Sequence, residues 1–513
     1  MDLTEILYQR FGYRNFRTGQ EQIIEDVLEG RDVFAMLPTG AGKSMCYQLP
    51  VYAGASPVLI VSPLVSLMED QVQQLKSSGE KRVVALNSFQ DFEMRRSTLR
   101  NLSEYVFIYV SPEILQNKIV KETLKKIRFQ LMVIDEAHCI SQWGHDFRTD
   151  YLKLGDIREE LGRPPLLALT ATATAEIRED IISQLHMSNP SCHVYSVDRP
   201  NIAIKLEKLN SIEEKVKAIH HYANRLQGPG IIYFSSRSWA DKMAKELESC
   251  GVGRVASYHA GLDQEDRLLI QQQFLNDELS VVCSTNAFGM GINKRNIRYV
   301  IHFHPPSTFE SYLQEIGRAG RDEKRGIAIH LYTAEDEFLP LSFIESELPN
   351  HNQISRLMNN VSTRIGKRLT QKQYESEGVP LGLTETAWRY IYHKLEVHGI
   401  VQNDVIMNFQ LDDKISRILD ETERRKNEKI VKWVRFKSWL EEDRCRRKGL
   451  LEQFGELPVT IDPCCDYCGL TLKRYDKITA KEEKQVEGII DWKDELSRML
   501  GVQKEENSEK STG

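Results

Sequence analysis

The stretch Val33-Phe-Ala-Met-Leu37-Pro38-Thr39-Gly40-Ala41-Gly42-Lys43-Ser44 decides the fold. Val33 to Leu37 are apolar throughout, the mark of a strand buried on both faces. A loop with two glycines follows, and a helical pattern begins at Lys43-Ser44. Glycines at this spacing let backbone N–H groups curl around phosphates, a Lys neutralises their charge, and a Ser hydroxyl binds Mg²⁺. The long form of such a loop has a Gly six residues before the Lys, where this chain has Leu37.

Working outward, the same texture recurs. Val58–Val61, Val106–Val110, Leu131–Ile134, Leu166–Leu169, Ile231–Phe234, Val281–Cys283, Tyr299–Phe303 and Ile327–Leu331 are short runs separated by helical patterns. They read as strands of parallel sheets wrapped by helices. There are too many for one sheet, so the sequence predicts two α/β domains, 1–200 and 201–340, divided near Asp198-Arg199-Pro200-Asn201. At about 150 residues per domain, a chain of 513 residues has room for more. After residue 340 helical patterns dominate. Leu383 to Leu395, with Thr384 as N-cap, runs into His398-Gly399 and the alternating Val405 to Phe409, a helix, turn and hairpin of winged-helix type. Residues 341–415 therefore read as a winged-helix-like domain and 416–470 as a helical module with long helices. Residues 471–513 read as a tail, polar and partly disordered at its end. The fold class is α/β, two P-loop domains of the RecA-like type followed by a mostly helical part.

Composition excludes some functions. The net charge is −6 with 28% charged and 41% hydrophobic residues, which describes a soluble folded chain without an overall basic signature for nucleic acid. No apolar run approaches a membrane span, and Met1 to Glu5 lacks the features of a signal peptide. A cytoplasmic protein with reduced cysteines is expected.

A nucleotide-hydrolysing site needs a carboxylate for Mg²⁺ and a base for the attacking water. Asp135 and Glu136 follow the apolar run Leu131–Ile134 and supply both. Gln314-Glu-Ile-Gly-Arg318-Ala-Gly-Arg321 offers two arginines for the charge on the transferring phosphoryl. These arginines lie in the other α/β domain, so they reach the phosphate only when the domains close.

Taken together, these elements resemble superfamily 2 helicases, many of which use the shorter Thr-Gly-x-Gly-Lys-Ser loop. Asp135-Glu-Ala-His138-Cys-Ile-Ser-Gln-Trp143-Gly-His145-Asp-Phe147-Arg148 is similar to the DEAH box and aromatic-rich loop of the RecQ family. Ser62 to Gln71, Thr170 to Ala173, Tyr258 to Gly261 and Ala287 to Asn293 are similar to its further motifs. The resemblance covers about residues 1 to 340 and implies a 3′→5′ DNA-unwinding motor driven by ATP, in recombination and repair. It assigns Tyr13, Arg17 and Gln20 to adenine, whose edge suits an amide that both donates and accepts. Thr39, Gly40, Ala41, Gly42, Lys43 and Ser44 would hold the phosphates, with Ser44 and Asp135 on Mg²⁺. Trp143, Phe147 and Arg148 would contact single-stranded DNA, with bases stacked on the rings. Placed directly after Glu136, this loop could report bound DNA to the hydrolytic carboxylates.

Cys445, Cys464, Cys465 and Cys468 are similar to the family's zinc module, and thiolates at C-x-x-C spacing suit tetrahedral Zn²⁺. The family's loop has a third Cys at the position of Asp462, so Asp462 and Cys464 compete for the fourth place, and softness favours Cys464. About a hundred residues separate motor and module, an order that looks like the short RecQ-type proteins of bacilli, with no room for an HRDC domain. His398 reads as a turn residue or a strand-separating one. The net +5 segment 421–450 reads as a phosphate-contacting or a solvated helix face, with Trp433 and Trp439 in the core. The partners implied are single-stranded and junction DNA, single-stranded DNA-binding protein and other repair proteins. The protein is expected to be monomeric, nucleoid-associated and off the membrane. An RNA helicase, or an ATP-driven DNA remodeller without unwinding, are the other readings.

Overall fold

The computed structural model of the chain describes residues 2–87, 90, 92–141, 149–288, 294–457 and 463–477. The first sheet contains β1 (Val33–Met36), β2 (Val58–Val61), β3 (Val83–Leu86), β4 (Phe107–Val110), β5 (Leu131–Ile134), β6 (Leu166–Thr170) and β7 (Ser191–Val194). Its strand order is β3-β4-β2-β5-β6-β1-β7, and every pairing is parallel. The second contains β8 (Ile202–Lys208), β9 (Gly230–Tyr233), β10 (Val255–Tyr258), β11 (Val281–Ser284), β12 (Tyr299–His302) and β13 (Gly326–Tyr332). Its order is β10-β11-β9-β12-β13-β8, again parallel throughout.

The apolar runs identified in the sequence are the interior strands of these sheets, covered on both faces. The four strands that the sequence reading passed over, β3, β7, β8 and β10, are the four sheet edges. An edge strand is covered less completely, so it needs no unbroken apolar run; β7 alternates between half-buried and exposed residues. The stretch 198–201 lies between β7 and β8.

Beyond the second sheet, helices His351–Ser362 and Glu385–Val397 pack around Leu357, Trp388, Ile391 and Leu395. Gly399 (φ 68°) turns the chain into a hairpin of β14 (Val401–Gln402) and β15 (Val405–Ile406). Asn403 and Asp404, both left-handed (φ 49° and 62°), form its two-residue loop, the geometry that matches strand twist. The expected helix and hairpin are thus present. His398 lies at the helix end with Nε2 3.2 Å from Glu421, a turn residue rather than a hairpin tip.

A single helix then spans Leu411–Glu441, about 46 Å long at 1.5 Å per residue. It runs through the division expected at 415/416, so the two C-terminal units share one rod. Ile418 at one end belongs to the helical core. At the other end Phe436 and Trp439 stack on Phe309 and Tyr312 of the second α/β domain, with ring centroids 5.1–5.7 Å apart. Trp433 and Trp439 are core residues, as expected. Helix Arg446–Glu452 and the segment 463–477 complete the described chain. Residues 471–477, assigned to the tail in the sequence, sit on the second domain, where Arg225 grips Asp476 at 2.7 Å.

Candidate nucleotide and metal sites

In an open parallel sheet, ligands bind beyond the carboxyl ends of the strands. Here β5, β6 and β1 are neighbours, with Met36 opposite Thr170 and Ile134 opposite Ala168. The phosphate loop, the Asp135-Glu136 pair and Thr170-Ala-Thr172 therefore emerge side by side. Leu37 extends the ladder, its N–H donating to Thr170 O at 3.0 Å, and its side chain is fully buried. That strand continuation explains why no glycine stands there.

Gly40 (φ 87°) and Gly42 (φ 80°) hold left-handed conformations that side chains resist. A Cβ on Gly42 would lie 2.7 Å from Gln20 Nε2. Gln20 donates to Ala41 O and Gly42 O at 3.0 and 3.1 Å and accepts from Arg17 N–H at 2.9 Å. Arg17 donates to Gly40 O. Two of the three residues expected at adenine, Arg17 and Gln20, thus brace the phosphate loop. Tyr13, Arg17, Gln20, Thr39, Gly40, Gly42, Lys43, Ser44, Asp135 and Glu136 all line one cavity of about 360 Å³.

Lys43 Nζ lies 3.0 Å from Glu136 Oε1. Burial opposes the lysine's charge, but Glu136 and Asp135 outweigh it and its pKa is raised. Burial, reinforced by Glu136 and opposed by Lys43, pushes Asp135 up to about 6. Glu136 sits at φ 48°, a strained conformation for a non-glycine residue, as found where a catalytic group must be aimed. His138 Nδ1 lies 3.0 Å from Thr170 Oγ1 and 3.4 Å from Glu136 Oε2, which links the acidic pair to the end of β6. Ser44 and Asp135 line the same cavity, and a hydroxyl with a carboxylate is a hard-oxygen donor set that fits Mg²⁺.

The second domain closes the cavity. Arg295 donates to Tyr13 Oη at 3.0 Å. Arg321 lines the cavity, and a Cβ on Gly40 would meet its Cγ at 3.2 Å. Burial, then Arg318 and Arg199, pull Arg321 down to about 9. Arg318 is buried one turn away, next to Tyr233, and does not line the cavity. Gln314 is half-buried on helix Phe309–Ile316. Gly317 comes so close to the phosphate loop that a Cβ would sit 2.1 Å from Thr39 Oγ1. Arg199 and Arg295 were not singled out in the sequence; only the position of Arg199 at the domain boundary hinted at it. Trp143, Phe147 and Arg148 lie outside the described residues, as do Gly289 to Asn293 and Asp462.

The sulfurs of Cys445, Cys464, Cys465 and Cys468 lie within 4.8 Å of one another. The separations 445–464, 464–468 and 445–465 are 3.5, 3.8 and 3.9 Å. A tetrahedron with Zn–S bonds of about 2.3 Å has edges near 3.8 Å, so the cluster fits Zn²⁺ with Cys464 as fourth ligand. The cysteine loop also covers the edge of the second sheet: Ile204 N–H donates to Cys464 O and Asp466 N–H to Ile204 O, each at 3.1 Å. Most of the neighbouring basic stretch is engaged internally. Lys429 pairs with Glu347, Lys432 with Glu310, Lys437 with Glu337, Arg446 with Asp466 and Arg447 with Asp198. Arg424, Arg435 and Lys448 remain exposed.

Two parallel-sheet domains closing a phosphate loop against an arginine loop define a two-domain motor ATPase of the DEAD/DEAH-box class. The family models for "DEAD/DEAH box helicase" and "Helicase conserved C-terminal domain" match residues 17–180 and 211–323. The chain is 43% identical over 507 residues to the probable ATP-dependent DNA helicase RecS of Bacillus subtilis, covering 98% of each. It is 41% identical to the ATP-dependent DNA helicase RecQ of Pasteurella multocida, over 65% of this chain and 52% of that one. The chain belongs to the RecQ family, in the short form that RecS represents. Solved structures share the fold alone: the helicase MrfA bound to DNA, at TM-score 0.56 and 16% identity, covers 81% of this chain and 63% of its own. Mss116p bound to single-stranded RNA gives the same TM-score and identity, over 78% of this chain and 89% of that one.

Proposed function

We propose that the chain is an ATP-dependent DNA helicase of recombination and repair that moves 3′→5′ on single-stranded DNA. The observation that carries the reading is the closure of Arg321 onto Gly40, directly across from Lys43 and Glu136. Lys43 is the group that leaves Glu136 for the phosphates, which frees Glu136 to take a proton from the attacking water. Arg321 then faces the charge on the transferring phosphoryl. Ser44 and Asp135 would hold Mg²⁺, which neutralises the triphosphate and orients its oxygens. Each closure and opening of the cleft steps the two domains along the strand. Trp143, Phe147 and Arg148 supply the stacking and phosphate contacts that report DNA to Glu136. The four cysteines would hold Zn²⁺, which would supply a tetrahedral cross-link between the loop and the helix that follows Cys445.

Among the described residues no helix is long and apolar enough to cross a membrane. We place the protein in the cytoplasm at the nucleoid, as a monomer, with single-stranded DNA-binding protein and other repair proteins as partners. The test is ATP turnover with single-stranded DNA, single-stranded RNA or no polymer. Strong stimulation by DNA and little by RNA is expected; equal stimulation by RNA would overturn the DNA assignment.

A further inference from the structure

The linker residue Arg199 spans the two halves of the nucleotide site. One guanidinium nitrogen donates to Thr39 O of the phosphate loop at 2.7 Å and to Gly317 O at 3.1 Å. The other donates to Ala319 O at 3.2 Å and Gly320 O at 2.7 Å. Gly317 to Gly320 carry the carbonyls at the C-terminal end of helix Phe309–Ile316, which lack partners within the helix and attract a cation. Arg321 is the next residue. The fork of Arg199 thus holds the loop that carries Arg321 and ties it to Thr39 of the phosphate loop. Asn201 adds donations to Gly320 O and Lys324 O, both at 2.8 Å.

The linker is itself held from the cysteine module. Arg447, on the helix that follows Cys445, pairs with Asp198 and donates to Arg199 O at 3.2 Å and to Ile202 O. Glu456 accepts from Val197 N–H at 2.9 Å. The backbone on both sides of Arg199 is therefore pinned, and its side chain has one direction to take.

We infer that Arg199 is a positioning residue for ATP hydrolysis: it locks the Arg321 loop to the phosphate loop in the closed cleft, on a linker set by Arg447. The inference rests on the ATPase reading above. An arginine that merely ends a helix would lose stability when removed, without a specific effect on turnover. A positioning role predicts a split between binding and chemistry, because Arg199 does not line the nucleotide cavity.

The experiment compares wild type, Arg199→Ala, Arg199→Lys, Arg321→Ala and the Arg199→Ala/Arg321→Ala double variant in the full chain. It reads kcat at saturating ATP and single-stranded DNA, and the Kd of a fluorescent ATP analogue. Arg199→Ala is expected to lower kcat by about 10²-fold, the scale of a misplaced catalytic group, while Kd moves less than about threefold. The double variant is expected to turn over no slower than Arg321→Ala, since Arg199 acts through Arg321. Arg199→Lys keeps the charge and stem, folds even where Arg199→Ala does not, and still loses kcat by about tenfold or more, because an ammonium lacks the two-sided fork. Unchanged kcat in Arg199→Lys, equal losses in kcat and analogue binding, or additive losses in the double variant would overturn the inference. A wild type that hydrolyses no ATP would instead overturn the function on which it rests.

Discussion

In the nucleotide cleft, Lys43 and Arg321 face a cavity of about 360 Å³; in the cysteine module, Arg446 and Arg447 are buried against Asp466 and Asp198. Lys43 and Arg321 stand in loops, and Arg446 and Arg447 open helix Arg446–Glu452, yet sequence alone makes all four look alike. The difference lies in what the charge does. Cleft cations border the space a ligand would fill: Lys43 pairs with Glu136, which lines the same cavity, and Arg321 is pulled down to about 9 by burial and by Arg318 and Arg199. Module cations already have their carboxylates, and they tie the linker and the sheet edge in place. The first arrangement suits a site that changes occupancy, the second one that must not move.

That contrast can be broken from either side. The largest effect belongs to Arg321→Ala, which should lower DNA-stimulated kcat by about 10⁴-fold, as loss of an arginine finger does, without altering the melting temperature. Glu136→Gln should follow with a loss of about 10³-fold in hydrolysis while analogue binding persists, since the phosphate contacts of Lys43 remain. Arg447→Ala should behave in the opposite way. It leaves the half-buried Asp198 without its partner and should cost about 1–3 kcal/mol in denaturant unfolding, the scale of a lost partner to a desolvated polar group. An Arg447→Ala chain as stable as wild type would show that the module's charges are not structural. In the cluster, Cys464→Ser should release zinc to a chelator that leaves wild type loaded, and Asp462→Ala should keep wild-type zinc content; the reverse would make Asp462 the ligand. The smallest effect is expected for Arg435→Ala/Lys448→Ala. If the basic stretch serves the fold, the salt slope of DNA binding changes by less than one; if it is a DNA face, the slope falls by about two.

What was legible in the sequence follows from how each feature is built. Lys43, Asp135 and Glu136 stand at the ends of fully buried strands, and a continuous apolar run with a polar tip can be read from one stretch of chain. The same rule located the nine interior strands and missed the four edges, where part of the covering comes from elsewhere. On β8 it comes from the cysteine loop more than 250 residues later, through Ile204 and Cys464. Arg199 was legible only as a boundary. Its partners are backbone carbonyls of Thr39, Gly317, Ala319 and Gly320, and a carbonyl has no residue type that a motif could display. The ion pairs of the basic stretch were hidden for a related reason: the carboxylates that engage it come from Asp198, Glu310, Glu337, Glu347 and Asp466, most of them distant in sequence. The overall charge of −6 was the wrong scale on which to judge contact with DNA.

We propose that closure of this cleft drives a strand-separating motor. A strand-displacement assay tests it most directly, with wild type and Lys43→Ala on duplexes tailed at the 3′ or the 5′ end. The account predicts displacement of the 3′-tailed duplex by wild type, which requires ATP and is lost in Lys43→Ala, and little displacement of the 5′-tailed one. DNA-stimulated ATP hydrolysis by wild type with no displacement of either duplex would contradict it.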